Sequence, residues 1–342
     1  MPEPQPVSRR AITIDVAERL LRSRARLVAD GATDRMLSAR VADGRLTRIR
    51  RGHYVPTDTW ERLWPEGRHL LRVLAAARDA EAPPVFCGLS AVVLHGLPLY
   101  RVPVGRVHVL TRDHVGSSRV VQRHPAVVDD ADAVEIGAMR VTGLARTVFD
   151  VSRVLHAEAA QSIADAALRR VAVRGQRQED SLADAWREGM LARFDSVRGA
   201  PGSRRGRAIV RFADGRAQLP GESVSRMHLM RLGFERVELQ VAVPASDGGE
   251  HFVDFGLDEI GAFGEFDGAG KYVDPELRGG RTVEQAVLDE KEREDWIRGV
   301  TGRRMLRWGS SHIRTLADFA ARLRAFGVPL TGDLKLDRRR LL

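Results

Sequence analysis

Internal disulfide chemistry is closed to this chain, because Cys87 is its only cysteine. The thiol lies in the apolar run Val85-Phe86-Cys87-Gly88-Leu89, so it reads as a buried strand or helix-entry residue rather than a nucleophile. Long apolar runs are missing too. None reaches the roughly 18–20 residues that span a bilayer, and the opening Met1-Pro2-Glu3-Pro4 has no signal-peptide core. These absences predict a cytoplasmic protein, and the turn and wing signals of its basic N-terminal segment, in place of a continuous amphipathic helix, predict no membrane partner. Lysine is scarce: Lys271, Lys291 and Lys335 are the only three among 55 basic residues. The arginine bias, with abundant Ala and Gly, fits a GC-rich genome and makes each lysine worth attention. His108, His114 and His124 lack metal-ligand spacing, and no internal repeat occurs.

What is present is a globular composition, 43% hydrophobic over 342 residues, which is length for two or three domains. A formal charge of +9 predicts an anionic partner. Residues 1–55 hold twelve Arg against six acidic residues, so two-thirds of the excess lies in one-sixth of the chain. After a Pro-rich tail over 1–10, apolar periodicity predicts one helix or two short ones across Thr13–Ala29, and a further helix over Thr33–Ala42. Asp43-Gly44 then turns into an alternating segment, Leu46 to Val55, bent at Gly52.

Helix, turn, helix and hairpin predict a winged helix-turn-helix over 1–56. Arg35 and Arg40 fall on the recognition helix, and Arg45, Arg48, Arg50 and Arg51 on or beside the wing. The bland alternative is a solvated arginine face.

Residues 57–198 read as a mixed α/β middle block. Helices are expected over Leu70–Ala77 and Phe86–Leu94, short strands near 106–110, 119–122, 134–136 and 139–142, and a helical linker over 156–195. His95, at the end of an apolar helix, reads as a capping or core histidine, and Arg146 and Asp150 as an intrahelical pair. The stretch Gly199-Ala200-Pro201-Gly202-Ser203-Arg204-Arg205-Gly206 reads as a loop or hinge, and 328–342 as a tail.

The block over 207–327 carries the chemistry. A helix opens at Pro220-Gly221-Glu222-Ser223, strands follow at 237–243 and 251–255, and another contains Glu265-Phe266-Asp267. Glu265 and Asp267, two apart, project from one strand face. Asp254 on the partner strand and Glu222 on the packed helix approach the same point. Converging carboxylates repel unless a cation lies among them, and hard oxygen ligands of this kind suit Mg²⁺ or Mn²⁺. Lys271, four residues after Asp267, is a candidate point charge for a developing phosphorane. The run Glu290 to Asp295 is either part of the site or a solvated helix face.

Two resemblances follow from these residues. Gly44-Arg45-Leu46 through Arg51-Gly52-His53-Tyr54, Leu89 through Pro98 and Val141 through Asp150 resemble the AbiEi-type antitoxins of bacterial toxin–antitoxin systems, over about half the chain. That resemblance implies double-stranded DNA as a partner, repression of the protein's own operon, and a cognate toxin.

Pro220-Gly221-Glu222-Ser223, Val253-Asp254-Phe255, Glu265-Phe266-Asp267-Gly268 with Lys271-Tyr272, Glu290 to Asp295 and Arg304 to Trp308 resemble the PD-(D/E)xK nucleases. Within them the likeness is to the very-short-patch-repair-like domain fused behind such winged helices in actinobacterial proteins. It implies an α/β (α+β) fold with a C-terminal αβββαβ domain and a Mg²⁺- or Mn²⁺-dependent endonuclease. Asp254, Glu265 and Glu222 would be the metal ligands, and Asp267 and Lys271 further catalytic residues. The position two after Glu265, where the family carries lysine, is Asp267 here, which leaves Lys271 and Lys291 as alternatives for that role. The non-enzymatic alternative is an antitoxin-like regulator with an inactive nuclease-like domain.

Overall fold

The computed structural model describes residues 12–112, 116–126, 128–268 and 283–330. Lys271 and Tyr272 lie outside the described residues. The chain divides into two compact units, Met1–Val154 and Leu155–Leu342.

The first unit opens with α1 (Ile14–Leu20), β1 (Arg22–Ser23), α2 (Arg24–Ala29) and α3 (Asp34–Ala42). Thr13, Ser23 and Thr33 each accept a hydrogen bond from the amide three residues on, which explains where the three helices start. The periodicity across 13–29 resolves into two helices because Leu21 takes an extended conformation. β2 (Leu46–Arg50) and β3 (His53–Pro56) form the expected hairpin, with β1 added to give the sheet order β1-β3-β2. Leu27, Ala32, Leu37 and Tyr54 form its small core, with Leu46 packed against them. This is a winged helix-turn-helix.

After α4 (Thr57–Arg62) and α5 (Pro65–Arg78), a five-stranded mixed sheet forms. It comprises β4 (Val85–Phe86), β5 (Val107–Thr111), β6 (Val121–Pro125), β7 (Ala133–Ile136) and β8 (Met139–Thr142), in the order β6-β5-β4-β8-β7, with α6 (Gly88–Leu94) packed on β5 and β8 and α7 (Leu144–Val154) packed on α6. Phe86, expected on a helix, is a strand residue. Cys87 caps the helix that follows, where burial, and secondarily the Asp150 charge, push its thiol up to about 12. His95 caps the end of α6 and its Nε2 lies 2.8 Å from the Thr142 carbonyl oxygen, so it is a core histidine. Arg146 donates to both Asp150 oxygens at 3.0 Å, as the i,i+4 spacing predicts.

The second unit begins with α8 (Ala157–Ala172), a two-stranded hairpin of β9 (Val173–Arg174) and β10 (Arg177–Gln178), and α9 (Asp180–Asp195). The helical stretch read as the end of the middle block therefore packs here. The small buried face of α8, including Ala160, Ile163, Ala164 and Ala167, lets α10 (Ser203–Phe212) and α11 (Pro220–Arg231) approach.

A four-stranded sheet follows, built from β11 (Glu238–Pro244), β12 (Glu250–Leu257), β13 (Ala262–Asp267) and β14 (Arg304–Gly309) in sequential order. The first three strands are antiparallel. β14 runs parallel to β13, reached through α12 (Val283–Thr301), and α13 (Leu316–Ala325) closes the unit. From α11 to β14 the elements run in the αβββαβ order.

Two contacts fix the layers. An added Cβ on Gly264 would lie 2.3 Å from the Trp308 ring, and one on Gly221 would lie 2.0 Å from the Phe266 ring. Both positions therefore require glycine for close approach. Trp308 is fully buried among Phe255 and Phe319, and its Nε1 donates to Ser225 Oγ at 2.8 Å. A separate cluster of Val243, Val253, Phe263 and Ile297 seats α12.

Candidate functional site

The β12–β13 ladder pairs Phe255 with Gly264, and the next step would set Asp254 opposite Glu265. There the backbone pairing gives way to a side chain: Phe266 N donates to Asp254 Oδ2 at 2.8 Å. Asp254 and Glu265 are 7% and 4% exposed, so two like charges share a desolvated place. Burial, and then the Asp254 charge, push the Glu265 carboxyl up to about 7, against the opposing pull of Arg293.

Glu222 is buried near the N-terminus of α11, where Gly221 allows the helix to lie directly against Phe266. Glu222 Oε2 accepts from Gln218 N at 2.8 Å, and Gln218 Nε2 donates to Gln240 Oε1 at 2.9 Å. Gln240 Nε2 in turn donates to Asp254 Oδ1 at 3.3 Å. A hydrogen-bonded chain thus joins Glu222 to the Asp254–Glu265 pair. Gln240 has φ of 52°, a left-handed conformation that costs a non-glycine residue about 1–3 kcal/mol and needs support from its surroundings. It falls between the paired residues Leu239 and Val241, opposite Asp254, so the kink occurs where its amide serves the site.

Asp267 takes a different partner. Arg307 Nη1 donates to Asp267 Oδ1 at 3.4 Å, its Nη2 to Glu290 Oε1 at 2.7 Å, and its Nε to Glu294 Oε2 at 3.0 Å. Burial disfavours that charge, but Glu290, Asp267 and Glu294 outweigh it and hold the guanidinium pKa above its ordinary value. Arg293 connects the two groups, donating to Glu265 Oε1 at 3.0 Å, to the Phe252 carbonyl oxygen at 2.6 Å and to Glu290 Oε1 at 3.1 Å.

Glu290 and Glu294 therefore turn inward from α12, whereas Lys291, Glu292 and Asp295 are exposed. Arg293, Arg307, Gln218 and Gln240 were not singled out in the sequence. The one signal available was the three-residue spacing of Glu290 and Arg293; Arg307 is set beside Glu265 by a parallel register that only the structure shows.

Among the described residues, no cluster of three or more His, Cys, Asp and Glu side chains is arranged to hold a metal ion. The carboxylate core is the pair Asp254 and Glu265, within the one or two carboxylates that Mg²⁺ commonly takes from a protein beside water and phosphate oxygens. Hard oxygen donors in a desolvated, mutually repelling pair fit such a cation.

On the wing, Arg48 and Arg51 are exposed, as is Arg35 on α3, while Arg40 is half-buried. Arg45 is held by Asp43, and Arg50 by Asp79, which also engages His53 Nε2 at 2.7 Å. Asp79 follows α5, so it ties the hairpin to the body of the unit. Arg24, Arg48, Arg50 and Arg51 line a cavity of about 800 Å³. Among the described residues, no helix is long and apolar enough to cross a membrane.

No family model matches the chain, and no curated protein does. Among solved structures, the chain is similar to the crystal structure of the RV2827C protein from Mycobacterium tuberculosis. The identity is 17%, with 61% of this chain and 84% of that chain covered and a TM-score of 0.32.

Proposed function

We propose that this chain is a DNA-binding protein whose second unit hydrolyses phosphodiester bonds at a divalent-metal site of PD-(D/E)xK type. The observation that carries this reading is the Asp254–Glu265 pair, two buried carboxylates at the point where strands β12 and β13 part.

Asp254 and Glu265 would hold Mg²⁺ or Mn²⁺. When bound, the metal supplies a Lewis acid for the phosphodiester and lowers the pKa of a water ligand. The protein's own residues set the conditions. Phe266 N and Gln240 Nε2 fix the Asp254 carboxylate. Glu222 orders Gln218, which orders Gln240. Arg293 favours the ionised form of Glu265. The exposed arginines of the wing and α3 supply sequence-independent attraction for duplex DNA.

A specific observation favours the second reading, a regulator with an inactive nuclease-like unit. Arg293 and Arg307 already place fixed positive charge on Glu265 and Asp267. Incubating supercoiled plasmid with the full chain and Mg²⁺, Mn²⁺ or EDTA decides between them. Metal-dependent nicking is expected. Asp254→Asn and Glu265→Gln should lose at least the roughly 100-fold that removal of a ligand's supporting partner can cost. DNA binding with no cleavage under either metal contradicts the enzyme and leaves the regulator.

A further inference from the structure

Positive charge is concentrated in residues 1–55, which include the wing, and again in a second stretch far from them in sequence. Residues 193–211 contain six Arg and one Asp, a net of +5 over the turn between α9 and α10. Arg198, Arg204, Arg205 and Arg207 line a cavity of about 740 Å³ there, with Asp195 as the only acid in its lining. We infer that this corner is a second nucleic-acid contact, a phosphodiester-backbone cradle within the same unit as the Asp254–Glu265 pair. The inference rests on the reading of the chain as a nucleic-acid-binding protein, but on neither its catalysis nor its wing.

The local structure explains how the arginines come to share one surface. Gly199 and Gly202, at φ of 83° and 79°, reverse the chain after α9, so residues before and after the turn face the same space. Asp195 accepts from Arg207 Nη1 at 2.5 Å and pairs with Arg198 at 3.2 Å, which props two of the guanidinium groups at the rim. One carboxylate against four guanidinium groups leaves the lining at +3, and Arg198 and Arg204 are exposed to any incoming anion.

α10 opens on Gly202, and no side chain caps its first turn by a hydrogen bond. Guanidinium forks match phosphate oxygens two at a time, so arginines spread over this surface offer successive contacts to a phosphodiester backbone. α10 packs on α8, which packs on the Glu222-bearing α11, so one continuous framework supports both the cradle and the carboxylates.

The test uses the full chain in four forms: wild type, Arg204→Glu/Arg205→Glu, the wing reversal Arg48→Glu/Arg51→Glu, and the two combined. Binding of a labelled duplex and a labelled single strand is followed by fluorescence anisotropy between about 50 and 200 mM salt. The α10 reversal should flatten the slope of log K against log salt by about 2 on duplex, roughly 0.9 per lost phosphate contact, in the wild-type and wing-reversed backgrounds alike. Arg204→Lys/Arg205→Lys should keep the slope, and an unchanged melting temperature guards against misfolding.

An unchanged slope in the α10 reversal, with a flattened slope in the wing reversal, overturns the cradle and leaves DNA binding intact. Absence of binding in the wild type overturns the nucleic-acid reading and the cradle together. A calorimetric pyrophosphate site that the α10 reversal abolishes, without any effect on the DNA slope, assigns the cavity to a small free phosphate and also overturns the proposal.

Discussion

On the wing, Arg48 and Arg51 stand exposed, whereas beside the carboxylates Arg293 and Arg307 each hold two or more acidic partners. The same residue type therefore does two kinds of work. An exposed guanidinium is free to neutralise a phosphate and release the counter-ion condensed on it. A guanidinium engaged by inward-facing acids cannot leave them cheaply, because an unpaired buried charge costs several kcal/mol. The carboxylate partners of an arginine, as well as its place in the sequence, thus decide how freely it can meet an anion. The wing itself contains both kinds, since Arg50 is tied to Asp79 while Arg48 and Arg51 are not.

The largest expected effect is on the framework beneath the acids. Gly264→Ala would set a methyl group 2.3 Å from Trp308, and either the ring or β13 must shift. Overpacking of this kind costs about 1–3 kcal/mol. Urea unfolding should show that loss, along with weakened metal binding in the protein that remains folded. A wild-type midpoint would mean the β13–Trp308 packing is looser than described.

Next comes the pH dependence of the buried acids. Glu265 has a folded-state pKa of about 7, raised from the ordinary glutamate value of 4.5. Its protonated form is therefore favoured by folding, and its contribution to stability, complete below pH 4.5, is lost as pH rises toward 7. Glu265→Gln should remove that slope, a difference on the order of 2 kcal/mol between about pH 5 and 7.5 in metal-free buffer. Parallel stability curves for wild type and variant would show that Arg293 keeps Glu265 ionised throughout.

The smallest effects belong to the wing. Reversal of Arg48 and Arg51 should flatten the salt dependence of DNA binding by about 2, whereas Arg50→Gln should change it by less than about 1. Equal effects per residue would erase the distinction between engaged and exposed arginines.

Much of the frame was legible because its signals are local. Thr13 and Thr33 start helices, Asp43-Gly44 turns into a hairpin, and apolar and aromatic residues mark the strands β11 to β13, whereas the Ser23 cap that splits the first helical stretch was not read. Asp254 and Glu265 were legible as residues in aromatic strands. Their exchange of backbone for side-chain hydrogen bonding was not, since it depends on register between strands. The partners of Asp267 were hidden for a similar reason: Arg307 arrives from a strand forty residues away through a parallel crossover. Gln240 gave no signal, because a left-handed backbone at a non-glycine residue is imposed by tertiary context.

The central claim is that Asp254 and Glu265 together hold a divalent cation, with Arg293 as helper rather than substitute. Calorimetric titration of Mn²⁺ into the metal-free chain tests it most directly. The account predicts one site, lost in both Asp254→Asn and Glu265→Gln, with proton release larger at about pH 6 than at about pH 8 because Glu265 must ionise to bind. A site that survives both substitutions, or no site in the wild type, would contradict it.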